Sequence, residues 1–159
     1  MDYQKAFDSV ERLVAKVEAH GISGNILLWI QDFLSNRKQT VVVNGSRSSE
    51  KIVTSGIPQG SVLGPILFVL YINDLPKCVE NDIRLFADDT KIFTRSDLPG
   101  ATDSLQSDLD KLQQWSQEWL LRFHPEKCHV MKLGRTRSDA EYVMKKKNPD
   151  GSSKCHFTI

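Results

Sequence analysis

Apolar residues recur three and four positions apart between Lys5 and His20, at Val10, Leu13, Val14 and Val17, and Gly21 follows as a stop. That spacing predicts an amphipathic helix. A second helix is expected after Ser23, with Leu27, Ile30, Phe33 and Leu34 on one face. Next, Gln39 to Val43 and Lys51 to Thr54 flank a polar Asn44-Gly45-Ser46-Arg47-Ser48 loop, and Asn-Gly between β-branched runs is a hairpin signal. Ser55-Gly56-Ile57-Pro58-Gln59-Gly60 then forms a rigid, glycine-punctuated loop leading into an apolar helix from about Ser61 to Ile72. A second hairpin rises through Ile83-Arg84-Leu85-Phe86-Ala87, bends at Asp88-Asp89 and returns through Thr90 to Thr94. After a break at Pro99-Gly100, the positions Leu105, Leu109, Leu112, Trp115 and Trp119 mark a longer helix. Cys128 to Leu133 reads as a short closing strand, and everything after Gly134 as polar coil. Helices interspersed with antiparallel hairpins make the expected class α+β.

Composition narrows this picture. With 40% hydrophobic and 26% charged residues in 159, the chain falls in the globular class, not the disordered one. No apolar run approaches the roughly 20 residues of a membrane helix. The first residues lack a signal-peptide layout, and Cys78, Cys128 and Cys155 have no CxxC spacing, so an intracellular, reduced protein is expected. Charge is uneven. Residues 1–95 balance eleven bases against eleven acids, residues 97–121 hold one lysine against five acids, and residues 122–159 hold nine bases against four acids. A basic C-terminal stretch permits nucleic-acid contact without demonstrating it.

The densest candidate chemistry is Phe86-Ala87-Asp88-Asp89. Two adjacent acids at the tip of a hairpin whose strands are apolar on both faces would be buried, and burial demands a cation. The alternative is an ordinary turn, since Asp favours turns. Asp2 offers a third carboxylate, although Asp is equally an ordinary helix N-cap. Three converging carboxylates supply the hard oxygen ligands that suit Mg²⁺, and two such ions would activate a hydroxyl and stabilise a leaving pyrophosphate. The glycines between Ser55 and Pro65 would let backbone approach a ligand closely. That loop is neither a Walker loop nor a dinucleotide fingerprint, and by itself it also reads as a helix start with Pro65 in the first turn.

Taken together, these segments resemble the reverse transcriptases of non-LTR retrotransposons, most closely the jockey-like group. Asp2-Tyr3-Gln4-Lys5-Ala6-Phe7-Asp8-Ser9-Val10 resembles motif A, and Ser55 to Leu70 with Tyr71-Ile72-Asn73-Asp74-Leu75-Pro76 resembles motif B. Phe86-Ala87-Asp88-Asp89 resembles motif C. Trp115-Ser116-Gln117-Glu118-Trp119 followed by His124-Pro125-Glu126-Lys127-Cys128 resembles motif D. The resemblance implies the palm of a right-hand polymerase over residues 1–134, an antiparallel sheet backed by helices, while the polar, basic composition of residues 135–159 predicts a disordered tail. It implies RNA-directed DNA synthesis from an RNA template, a DNA primer and dNTPs, with two Mg²⁺ ions (Mn²⁺ as a substitute). By motif matching, Asp2, Asp88 and Asp89 would hold the metals and Phe7 would exclude a ribonucleotide 2′-OH. Gln59 and Gly60 would lie near the incoming nucleotide, and Lys127 would approach the leaving pyrophosphate.

Departures from the family pattern carry expectations of their own. Met1 directly precedes Asp2, where the family has a strand and, before it, the fingers; His124 stands where motif D has Asn; and the segment from Lys145 to Ile159 does not resemble a thumb. No endonuclease domain or zinc knuckle is recognisable. The chain is therefore expected to be a truncated element copy whose parent acts in the nucleus. The competing reading is a catalytically inactive remnant that at most binds nucleic acid.

Overall fold

The computed structural model describes residues 12–53, 56–58, 60–134, 140–145 and 154–157. It divides into two compact units, Phe7–Ile72 and Asn73–Ile159 with Met1–Ala6. The class is mixed α+β, with four α-helices and four two-stranded antiparallel ladders among the described residues.

In the first unit, α1 (Leu13–Ala19) packs on α2 (Gly24–Leu34) and on α3 (Gly64–Ile72). The predicted stripes hold: Leu13 and Val17 of α1 and Ile30 of α2 are buried. The part of the first predicted helix before Arg12 lies outside the described residues. In α3 the apolar residues go all round. Leu67, Phe68, Tyr71 and Ile72 are buried, while Ile66 and Val69 are exposed. Its start is fixed by Ser61, whose Oγ donates to the Pro58 carbonyl at 2.7 Å and accepts the Gly64 N–H at 3.0 Å. That hydroxyl satisfies one of the orphan donors of the first turn, and Pro65 beside it has no N–H to satisfy. Lys16 is buried, with Nζ donating to the Tyr71 carbonyl at 2.7 Å and lying 4.9 Å from the Tyr71 ring centroid. A helix C-terminus and an aromatic face both favour a cation, so the ammonium is accommodated away from water.

The hairpin between α2 and α3 follows the Asn-Gly signal. Asn44 and Gly45 take φ of 50° and 80°, the paired left-handed residues of a tight turn, between β2 (Val42–Val43) and β3 (Ser46–Arg47). Further out, β1 (Arg37–Gln39) pairs with β4 (Lys51–Val53). Two residues separate β1 from β2 but three separate β3 from β4, so the return strand carries one extra residue and the ladder is interrupted there. Ser48 spans the gap, its N–H donating to the Val41 carbonyl at 2.9 Å while its Oγ accepts the Val41 N–H at 3.0 Å.

The second unit is organised by α4 (Ala101–Glu118). Leu109, Leu112 and Trp115 are buried along its predicted stripe. Before it come a 3₁₀ turn, Leu75–Cys78, and the hairpin of β5 (Asp82–Phe86) and β6 (Asp89–Phe93). Trp115 Nε1 donates to Asp74 Oδ1 at 3.3 Å, tying the helix to the residue that precedes the 3₁₀ turn. Two sequence expectations need correction. Cys128 to Leu133 takes no strand among the described residues, although it keeps an alternation, with Cys128 buried and Met131 and Leu133 exposed. Extended backbone becomes a strand only when another strand takes its hydrogen bonds. Nor is the segment after Gly134 all coil, because β7 (Tyr142–Lys145) pairs with β8 (Lys154–Phe157). Tyr142 and Met144 are buried, and the Gln106 side-chain amide on α4 grips Val143 at both its carbonyl and its N–H, each at 2.9 Å.

Two outcomes follow from this packing. Leu112 has no exposed surface; Leu112→Ala should lower unfolding free energy by roughly 2–5 kcal/mol, read by denaturant titration. The second concerns Asp108, also fully buried on α4. Burial pushes its carboxyl up, but hydrogen bonds from Asn81, Glu80 and Lys111 outweigh that and hold it below its ordinary value. A depressed folded-state value means stability that is complete above the unfolded value near 4 and lost as pH falls through the lower folded one. Asp108→Asn should therefore be destabilising at neutral pH, with a difference from wild type that shrinks below about pH 4 in parallel melts.

Candidate active site

The acid pair sits on the β5–β6 hairpin, closed by the pair Phe86↔Asp89 around a two-residue turn, Ala87-Asp88. The bend is therefore Ala87-Asp88, and Asp89 is already the first residue of β6. Ala87 adopts φ of 51°, a left-handed conformation that costs a residue with a Cβ about 1 kcal/mol. The adjoining register sorts the side chains. Ile83, Leu85, Thr90 and Ile92 share one face, with Thr90 fully buried. Asp89 shares the other with Phe86, Arg84, Lys91, Asp82 and Phe93.

That sorting corrects the expectation that both faces are apolar and the acids buried. Phe86 is 81% exposed, Asp89 is exposed and Asp88 is half-buried. The apolar letters near the turn fall on alternating faces, and only one face meets the rest of the unit. Around Asp89 the outer face is polar and mixed in charge: Arg84 Nη1 lies 3.9 Å from Asp82 Oδ1, and its guanidinium lies 5.6 Å from the Phe93 ring centroid. Solvent access removes the need for a cation to make the two carboxylates tolerable, while leaving their oxygens reachable. Adjacent carboxylates of this kind fit a Mg²⁺ ion, which takes one or two protein carboxylates and fills its remaining positions with water and phosphate oxygens.

The other sequence-predicted residues divide into two groups. Asp2, Phe7 and Gln59 lie outside the described residues, and among the described residues no three His, Cys, Asp or Glu side chains cluster closely enough to hold a metal. Gly60 and Lys127 are described. Gly60 is exposed in the loop before α3 with φ of 81°, which a side chain would strain, although a Cβ would meet nothing within 4 Å. Lys127 is exposed at the end of the 3₁₀ turn Pro125–Lys127, its N–H donating to the His124 carbonyl at 3.0 Å. His124 Nδ1 is buried without a hydrogen-bond partner among the described residues.

The motif reading passed over Asn81 and Asp108. Asp108 Oδ2 accepts the Asn81 N–H at 2.7 Å and the Asn81 Nδ2 at 2.8 Å, immediately before β5 begins. A signal was available: Asp108 falls three after Leu105 and four before Leu112, on the buried stripe of the helix, where an acid needs donors.

Residues 1–158 match the family described as reverse transcriptase (RNA-dependent DNA polymerase). The chain is 37% identical over 149 residues to the RNA-directed DNA polymerase from mobile element jockey of Drosophila melanogaster, covering 87% of this chain and 16% of that protein. It is 35% identical over 138 residues to the jockey polymerase of Drosophila funebris, covering 80% and 15%. Against the probable RNA-directed DNA polymerase from transposon BS of Drosophila melanogaster, identity is 30% over 156 residues, covering 83% and 16%. The chain thus spans about one-sixth of the length of these curated relatives, and along nearly its whole extent it belongs to the reverse transcriptase family, with its relatives in jockey-like non-LTR retrotransposons.

Proposed function

We propose that this chain carries the palm of an RNA-directed DNA polymerase, and that Asp88 and Asp89, joined by Asp2, are its metal-binding carboxylates. The observation that carries this reading is the β5–β6 turn. It presents two carboxylates in succession, one half-buried in the bend and one on the solvent face, on backbone held at an unfavourable φ. Unfavourable backbone of this kind persists where surrounding structure enforces it, and functional turns are a common setting.

In the reaction, a primer 3′-hydroxyl gives its proton to solvent water and attacks the α-phosphorus of a dNTP. A new P–O bond forms, the α–β bridging P–O bond breaks and pyrophosphate leaves. Asp88 and Asp89, with Asp2, would hold Mg²⁺, which when bound would supply positive charge for the attacking and leaving oxygens. The chain's own contribution is placement. Asp88 is fixed by the two-residue turn, and Asp89 is fixed by its ladder pairing with Phe86. Lys127, exposed at the end of its 3₁₀ turn, carries the ammonium that motif matching assigns to the leaving pyrophosphate. By motif matching alone, Phe7 would exclude a 2′-hydroxyl and Gln59 with Gly60 would border the incoming nucleotide.

Primer extension tests the reading, with this chain transplanted into the corresponding stretch of a full-length jockey polymerase and an RNA template supplied. Mg²⁺-dependent dNTP incorporation is expected. Asp88→Ala should reduce it by roughly 10²–10³-fold or more, the scale of losing one preorganised transition-state group. A transplant indifferent to Asp88→Ala would reduce the acid pair to an ordinary turn. Phe7→Ala should keep DNA synthesis while admitting ribonucleotides, measured as the ratio of rNTP to dNTP incorporation. An unchanged ratio would remove Phe7 from the sugar pocket.

A further inference from the structure

The second unit buries a carboxylate for which the proposed chemistry has no use. Asp108 has no exposed surface, and its two oxygens are filled from the segment that leads into the hairpin. The Glu80 N–H reaches Oδ1 at 3.1 Å and Oδ2 at 3.0 Å, and the Asn81 N–H and Nδ2 reach Oδ2 at 2.7 and 2.8 Å. Lys111 Nζ stands 3.2 Å from Oδ1 and also bonds Glu80 Oε1 at 2.7 Å. Asn81 Nδ2 donates as well to Ser104 Oγ at 2.9 Å, so a second residue of α4 holds the same side chain. Residues 80 and 81 immediately precede β5. The root of the hairpin is clamped to a helix that Leu109, Leu112 and Trp115 already anchor in the core.

We infer that Asp108 is a positioning residue for the Asp88–Asp89 pair, setting the direction in which the hairpin delivers its acids. The role given to those acids rests on the polymerase reading; the clamp does not. Leverage makes the root matter. β5 has five residues, so its tip lies roughly 17 Å from Asn81, and a tilt of about 10° at the root moves the tip by about 3 Å. Metal ligation tolerates only about 0.2 Å, and a misplacement of about 1 Å can cost roughly 10²-fold in rate. The two-residue turn fixes the acids relative to the strands but cannot fix the strands relative to the unit. A carboxylate suits the task because it offers about four lone-pair sites and carries no donor. Asn at this position would turn an N–H₂ toward groups that are themselves donors.

The test uses Asp108→Asn in the full 159-residue chain. Amide hydrogen exchange is followed along β5–β6 and α4, and Mn²⁺ titration is read by line broadening at Asp88 and Asp89. Hairpin amides from Ile83 to Phe93 should lose at least about tenfold more protection than Leu112 to Ser116, whose loss follows only the general fall in stability. Mn²⁺ affinity should fall several-fold. Asn81→Ala removes only the side-chain donor and should give the same pattern at smaller amplitude, which decides the matter if Asp108→Asn does not fold. Unchanged hairpin exchange in both variants would overturn the inference. So would equal loss of protection in hairpin and helix, or unchanged Mn²⁺ affinity in a variant whose hairpin has loosened. A wild-type chain whose acid pair ignores Mn²⁺, with the exchange pattern as expected, would count against the polymerase reading alone and support the clamp.

Discussion

A carboxylate with no solvent access is stable only if nearly every lone pair meets a donor, and Asp108 imposes that condition on everything around it. Its donors come from backbone and side chain at residues 80–81 and from Lys111, so the loop, the helix and the start of β5 are fixed together. Removing the acid would strand those donors, and removing the donors would strand the acid. The helix that carries Asp108 makes two more such ties, through Trp115 to Asp74 and through Gln106 to Val143. In this unit α4 acts as a hub whose polar contacts are as specific as its apolar stripe is general. Apolar burial supplies most of the stabilisation, while hydrogen bonds decide which loops lie where.

The first unit meets a buried charge differently. Lys16 relies on the carbonyl end of α3 and on the ring of Tyr71. A helix terminus already presents orphan carbonyls that a buried cation can satisfy. Its other ordering device is local. Ser61 fixes the start of α3, and Asn44-Gly45 fixes the hairpin, each within a few residues of chain. Local devices of this sort leave a readable trace in sequence.

The acid pair belongs to neither category. The turn gives Asp88 and Asp89 different environments, half-buried and exposed, through nothing more than pleat alternation beside a two-residue bend. Their accessibility suits carboxylates that meet a metal and its phosphate ligands from solvent. Family membership is secured by the match over residues 1–158 and by the jockey polymerases, and the activity of those longer enzymes extends to this chain as a proposal.

What the sequence by itself determined was local. Periodicity located α2 and α4 with their buried faces, Asn44-Gly45 announced its turn, and the four motifs in order identified the family. These are legible because helix period, turn chemistry and motif spacing are properties of neighbouring residues. Tertiary structure alone decided the rest. Among the described residues it left Cys128 to Leu133 outside any strand and paired Tyr142–Lys145 with Lys154–Phe157 inside a segment of coil-like composition. It placed Phe86 and Asp89 on the open face of their hairpin and gave Asp108 its donors. Alternation says which side chains share a face, but whether that face is covered depends on groups far along the chain. Gln106 meets Val143 across 37 residues and Asp108 meets Asn81 across 27, and no short window of sequence contains both partners.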